Sequence, residues 1–137
     1  MLQELGIGVT AYGVLSRGLL SGSKPSAAND FRAHPPRFSG ENFAQNQRLI
    51  DELKNIAAEK QITPSRLAIA WVLAKGETIV PVVGARKRTQ LAESLAAARV
   101  LLSETDLARI EAAIPASAVS GDRYDAFQMK ILDSERA

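Results

Sequence analysis

The segment Thr78–Ser94 limits the fold more than any other part of the chain, because it has the pattern of a strand, a glycine turn and the start of a helix. The run Thr78–Val83 is rich in β-branched residues and is typical of a strand buried on both faces of a sheet. Gly84 lets the backbone turn, and three basic residues at 86–88 follow where a helix over Thr89–Ala97 begins. The first amides of a helix lack partners within it and the helix dipole is positive there, so this arrangement suits a phosphate. An ordinary strand-to-helix connection with solvated basic residues is the alternative.

A second strand is predicted at Gly8–Val14, where two glycines favour close approach by other backbone or by a ligand. The long stretch Ser16–Gly40 that follows is rich in glycine, serine and proline, and loops of this length are usually functional or disordered. It contains the only histidine, His34, which we interpret as a solvated or loop-packing residue. The order of strand, loop, helices, strand and helix favours an α/β domain with parallel strands. Two strands alone would leave unpaired edges, so another segment or another chain is expected to cover them.

Helices are predicted on both sides of the second strand. Apolar periodicity begins at Glu41, and a further helix starts with Thr63 as N-cap and Pro64 at its first position. The predicted buried faces are Leu49, Ile50, Leu53, Ile56 and Ala57 in the first helix and Leu67, Ala70, Trp71 and Ala74 in the second. A capping-box pattern at 103–106 opens a last helix that runs through Ile114.

Composition indicates one globular domain over residues 1–137, with 46% hydrophobic and 23% charged residues. There is no cysteine, which excludes disulfides and thiolate metal sites and is compatible with the cytoplasm, where we place the protein. The net charge of +2, from 17 basic and 15 acidic residues, is too small to indicate a nucleic-acid partner. The apolar stretches are too short for a membrane-spanning helix.

Four blocks of the sequence, in the same order and spacing, closely resemble the C-terminal portion of the aldo-keto reductases. They are AYGVLSRGLLSG at 11–22, DFRAHPPRFSGEN at 30–42, ITPSRLAIAWVLAKG at 62–76 and IVPVVGARKRTQLAES at 79–94. Members of that family fold as an eight-stranded (β/α)8 TIM barrel and reduce aldehydes and ketones with NADPH. The resemblance therefore implies an α/β fold that is an incomplete barrel, with the seventh and eighth strands and about four helices. It also implies NADP(H) as the cofactor.

The resemblance implies cofactor-binding residues in two loops. In the family, the residue at Tyr12 stacks on the nicotinamide, the following loop lines the pyrophosphate, and the second loop holds the adenosine phosphate, ribose and base. The matching residues here are Tyr12, Gly13, Val14, Leu15, Arg17 and Gly18 in the first loop and Gly84, Ala85, Arg86, Gln90, Glu93 and Ser94 in the second. Arg32 resembles a residue that lies near the adenine side of the cofactor. This chain departs from the usual Ser-Pro-Leu at 13–15 and from the usual asparagine at Ser94, and each change removes a polar contact.

The basic residues favour NADP(H) over NAD(H). A guanidinium can bind a phosphate through two parallel charge-assisted hydrogen bonds, so Arg86 with Lys87 or Arg88 would neutralise a 2′-phosphate. No acidic residue stands at the end of that strand to favour a free ribose hydroxyl.

Carbonyl reduction also needs a proton donor held near the substrate oxygen. In the family the tyrosine, lysine, aspartate and histidine that serve this step come from earlier strands, which this sequence lacks, and no catalytic residue is assigned here. We expect the chain alone not to catalyse hydride transfer. Two alternatives stay open: a self-associating, non-enzymatic half-barrel paired through its strand edges, and a natural protein longer than these 137 residues.

Overall fold

The computed structural model describes residues 2–23, 30, 32 and 35–132. His34, parts of the Ser16–Gly40 loop and the last five residues of the chain lie outside the described residues. Within the described part, the fold is α/β, with a two-stranded parallel sheet and a layer of helices. This agrees with the incomplete α/β architecture expected from the sequence.

The sheet consists of β1 (Val9–Ala11) and β2 (Ile79–Pro81), which pair in parallel with Val9 opposite Ile79. Both strands are shorter than predicted. The expectation that β2 is buried on both faces is wrong, because Val80 is 59% exposed. Its side chain lies on the face of the sheet away from the helices, and no other described strand pairs with these two.

Four of the five described helices agree closely with the periodicity and capping signals, whereas the short helix at Ala126–Lys130 was not predicted. The helices are α1 (Gly40–Glu59), α2 (Pro64–Leu73), α3 (Arg88–Ala96), α4 (Glu104–Ala113) and α5 (Ala126–Lys130), with 3-10 turns at Ser16–Ser21, Pro36–Phe38, Ala97–Arg99 and Ala116–Ala118. The Thr63 side chain accepts a hydrogen bond from the Arg66 amide at 3.2 Å, as predicted for an N-cap. Ser103 and Asp106 cap α4 reciprocally, at 3.1 Å and 2.9 Å.

The core forms where α1, α2 and α4 meet. Its buried residues are Leu53, Ile56, Ala57, Leu67 and Ile110. Four of the five apolar positions predicted in α1 are buried, whereas the predicted stripe of α2 was partly wrong because Ala74 is exposed beyond the helix end. The buried residues of α2 are instead the consecutive run 67–70, since α1 packs on one side of this helix and the sheet and α3 on the other.

The segment before α5 packs against the start of α1. The buried Asn46 amide donates to the carbonyls of Arg37 (3.1 Å) and Ser120 (2.9 Å), and its oxygen accepts from the Ser120 amide at 2.9 Å. Arg37 Nε donates to the Gly121 carbonyl at 2.9 Å. These hydrogen bonds hold residues 120–124 beside the loop that follows β1.

Candidate functional site

The loops that carry most of the predicted cofactor-binding residues leave the sheet at the same end, where both strands finish. Parallel pairing places the carboxyl ends of β1 and β2 side by side, and the Val82 amide extends the pairing by donating to the Ala11 carbonyl at 2.8 Å. Tyr12 follows β1 directly, and Gly84 and Arg86 follow β2. Ligands of parallel α/β sheets and barrels bind at this end of the strands.

The loop after β1 is tightly wound and exposes its aromatic residue. Tyr12 is 71% exposed, and Gly13 has a φ of 72°. The next turn closes through the Ser16 amide, which donates to the Gly13 carbonyl at 2.8 Å. Ser16 and Arg17 both lie in the left-handed region, at φ values of 47° and 53°. Two consecutive non-glycine residues there store strain of about 1–3 kcal/mol each, and such strain often accompanies a functional role.

Arg32 holds this loop in place rather than standing exposed for a ligand. Its NH2 group lies 2.6 Å from Asp30 Oδ2, and its NH1 group donates to the Arg17 carbonyl at 3.3 Å and to Ser23 Oγ at 2.8 Å. A Cβ added at Gly18 would lie 3.0 Å from this NH1 group, so glycine fits the close approach. The structure thus brings Arg32 to Arg17 and Gly18.

The loop after β2 caps its own helix. Gln90 Oε1 accepts from the amides of Arg86 (3.0 Å) and Lys87 (2.9 Å), so these two amides have partners. Ser94 donates its hydroxyl to the Gln90 carbonyl at 3.0 Å. The basic side chains at 86–88 are exposed at the start of α3. The exposed groups at the start of α3 are therefore the cationic side chains rather than the amides of residues 86 and 87.

Glu93 contacts α2. Its carboxylate accepts from the Thr63 hydroxyl and forms an ion pair with Arg66 at 2.6 Å. The hydrogen bond from Thr63, and then the charge and hydrogen bond of Arg66, lower the pKa of Glu93. This residue therefore joins α3 to α2 in the described structure.

A cavity of about 270 Å³ opens beside Tyr12. It brings together residues that are far apart in the sequence: Tyr12, Gly13, Ser16 and Arg17 from the first loop, Arg37 and Phe38 before α1, and Arg123 and Tyr124 before α5. Sequence reasoning did not select Arg37 or Arg123, because no local pattern indicates that residues 86 positions apart share a cavity.

The described residues contain no group of three or more acidic or histidine side chains that could hold a metal ion. No helix in the described part has the length and apolarity to cross a membrane.

Comparison with known proteins gives the family. The sequence model of the Aldo/keto reductase family matches residues 1–115. This chain belongs to the aldo/keto reductase family. It is 38% identical to probable aldo-keto reductase 1 of Glycine max, covering 90% of this chain and 37% of that protein. It is 34% identical to aldo-keto reductase str7 of Strobilurus tenacellus, covering 96% of this chain and 40% of that protein.

A third relative, aldo-keto reductase yakc of Schizosaccharomyces pombe, carries NADP(+) in its name and is 36% identical over 89% of this chain. The chain spans about two fifths of the length of these relatives. Among solved structures, it resembles the glycerol dehydrogenase of Gluconobacter oxydans with a TM-score of 0.77 and 24% identity, over 88% of this chain and 38% of the other. This member of the aldo/keto reductase family therefore has the fold of part of a TIM barrel.

Proposed function

We propose that this chain is the C-terminal part of an aldo/keto reductase barrel, with β1 and β2 as the seventh and eighth strands, and that residues 1–137 form one partial domain that binds NADP(H). The main support is that Tyr12 and Arg86 both follow the carboxyl ends of adjacent parallel strands. The NADP(+) in the name of the Schizosaccharomyces pombe relative favours the phosphorylated cofactor.

The residues present fit NADP(H) chemically. Three exposed cationic side chains stand at the start of α3, and residues 84–92 contain no acidic residue that would repel a 2′-phosphate. Gln90 fixes the backbone of this turn through the Arg86 and Lys87 amides, so the cationic side chains project from a defined position. The exposed ring of Tyr12 offers a flat surface on which a nicotinamide ring can stack.

The remaining proposed contacts follow the family motif. Gly13, Val14, Leu15, Arg17 and Gly18 would line the pyrophosphate, Arg32 would hold their loop, and Gly84, Ala85, Gln90 and Ser94 would surround the adenosine. Glu93 would act by positioning α3 through its ion pair with Arg66. The bound cofactor would supply the hydride for carbonyl reduction. No residue of this chain is assigned the proton transfer, so we propose that the chain alone does not turn over.

Titration of the chain with NADPH and NADH, followed by nicotinamide fluorescence, tests this function. We expect Arg86→Ala to weaken NADPH binding about tenfold or more, because a charge-assisted pair with the 2′-phosphate is lost. NADH lacks that phosphate, so the same variant should change its affinity less than about twofold. Tyr12→Ala should weaken both cofactors alike.

Arg99→Ala is the matched control, because Arg99 is an exposed arginine at the other end of the α3 segment. It removes the same charge and should leave both affinities unchanged. Absence of saturable binding at millimolar NADPH would refute the cofactor site. Steady oxidation of NADPH on addition of an aldehyde would instead refute the proposed lack of turnover while leaving the cofactor site intact.

A second candidate function is a non-enzymatic, self-associating half-barrel. It is favoured by the exposure of Val80 and Val82 (54%) on the open face of the sheet, since pairing that face with a second copy would remove both side chains from water.

A further inference from the structure

The cavity beside Tyr12 is lined by three arginines from three separate parts of the chain. Arg17 belongs to the loop after β1, Arg37 to the turn before α1 and Arg123 to the segment before α5. All three are half-buried, and none of the described residues that line the cavity is acidic. Convergence of guanidinium groups on one concave surface is the usual chemistry for recognising carboxylates and phosphates.

The guanidinium of Arg17 is held in a fixed position. Its NH1 group donates to the Arg123 carbonyl at 3.0 Å, and its central carbon lies 4.6 Å from the centre of the Tyr124 ring. The left-handed φ of Arg17 is part of the backbone turn that directs this side chain toward the segment before α5. Arginine carries five N–H donors, so a guanidinium that makes structural hydrogen bonds can also bind an anion.

Arg37 is oriented in the same way by its Nε bond to the Gly121 carbonyl, and the buried Asn46 amide fixes the backbone on both sides of that contact. The hydrogen bond between the two phenols of the cavity raises the pKa of Tyr12 and lowers the pKa of Tyr124. The hydroxyl groups of Tyr12 and Tyr124 lie 3.5 Å apart. The hydrogen bond with Tyr12, followed by the hydrogen bond and charge of Arg17 and the charge of Arg123, lowers the pKa of Tyr124.

We propose that Arg17, Arg37 and Arg123 form a binding site for a ligand oxyanion, a carboxylate or a phosphate, next to Tyr12. Tyr12 is the proposed nicotinamide contact, so the identification of the ligand that binds beside it rests on the proposed function. The oxyanion is an acidic group of the carbonyl substrate, because Arg37 and Arg123 lie outside the loop proposed to line the pyrophosphate. A volume of about 270 Å³ accommodates such a group with a small substituent.

Calorimetry on the 137-residue chain without cofactor tests the site directly. The probes are benzoate and inorganic phosphate, with benzamide as a neutral probe of the same shape as benzoate. We expect both anions to bind and benzamide not to bind. Arg123→Ala should weaken both anions about tenfold or more, and this variant keeps the Arg123 carbonyl that accepts from Arg17.

Arg99→Ala again serves as the charge-matched control and should leave anion binding unchanged. Arg123→Gln, which retains hydrogen-bond donors without charge, is the second variant if Arg123→Ala unfolds, and circular dichroism identifies that case. The proposal is overturned if benzamide binds as well as benzoate, or if Arg99→Ala weakens the anions as much as the variants at Arg123.

Repeating the titrations with saturating NADPH separates a substrate site from the pyrophosphate site of the cofactor. If benzoate still binds and Arg123→Ala leaves NADPH affinity within about twofold, the site serves an acidic substrate. If NADPH excludes benzoate and Arg123→Ala weakens NADPH, the three arginines serve the cofactor and the proposal is overturned. Anion binding by a chain that does not bind NADPH would support the oxyanion site and refute the proposed cofactor function, so the two failures are separable.

Discussion

Single residues control how closely the segment before α5 approaches α1, and Gly121 is the clearest case. Its φ is 79°, and an added Cβ would lie 2.8 Å from Asn42 Nδ2 and 3.0 Å from the carbonyl carbon of Pro36. We expect Gly121→Ala to lower the free energy of unfolding by about 2–4 kcal/mol, from left-handed strain plus overpacking against backbone. Urea denaturation followed by circular dichroism measures this loss.

Gly22 supplies the matched control. It has a similar φ of 73°, but a Cβ there would meet no atom within 4 Å. Gly22→Ala should therefore show only the strain, about 1 kcal/mol. Equal losses in the two variants would contradict the close packing of residue 121 against the turn before α1.

The carboxylate of Asp106 contributes to the dependence of stability on acid pH. The ion pair with Lys60 at 2.7 Å and the hydrogen bonds with Ser103 lower the pKa of Asp106 from 3.8 to about 2. A carboxylate with a lowered folded-state pKa stabilises the fold above its unfolded value, and this stabilisation is lost as the pH falls toward 2. We therefore expect Asp106→Asn to flatten the pH dependence of unfolding between about pH 4 and pH 2.

The comparison for Asp106→Asn is Ser103→Ala, which removes the acceptor for the Asp106 amide but keeps the carboxylate. It should cost about 1 kcal/mol at neutral pH and retain most of the acid dependence. An unaltered acid profile in Asp106→Asn would show that another carboxylate controls stability in this range.

At the scale of elements, the sequence predicted those features that depend only on residues close together in the chain. The caps at Thr63 and Ser103 and the apolar face of α1 depend on residues three or four apart, so their signals are contained in short segments. The exposure of Val80 and the presence of Arg37 and Arg123 in one cavity depend on which distant segments pack together. No local sequence pattern predicts this packing. The predicted cofactor residues of the first loop were selected by resemblance, and the structure adds to them the contacts from before α1 and α5.

Asn46 joins the turn before α1 to the segment before α5, and its removal should separate the two segments. Asn46→Ala deletes three hydrogen bonds and leaves the carbonyls of Arg37 and Ser120 without their donor. We expect a loss of about 2–4 kcal/mol in unfolding free energy, with faster amide exchange at residues 120–124. Gln45→Ala, one residue away on the same helix, should change stability by less than about 0.5 kcal/mol. Similar exchange rates in both variants would argue against Asn46 as the link.

The whole molecule has more surface than its mass predicts. Its accessible area is 9450 Å² for a mass of 14.7 kDa, whereas a compact monomer of that mass exposes about 6,900 Å². Val80 and Val82 contribute to this excess on the open face of the sheet, and no other described strand pairs with the outer edges of β1 and β2.

We therefore expect the purified chain to associate with itself at concentrations of about 10–100 µM, which multi-angle light scattering measures directly, because burial of apolar surface drives association. The double variant Val80→Lys and Val82→Lys should shift the chain to the monomer, since charges on an open sheet oppose pairing. Leu101→Lys is the control, because Leu101 is 91% exposed and lies away from the sheet, between α3 and α4. If both substitutions reduce association equally, general surface hydrophobicity drives it. If only the sheet variant becomes monomeric, the open face of the sheet is the interface that the rest of a barrel or a second copy must cover.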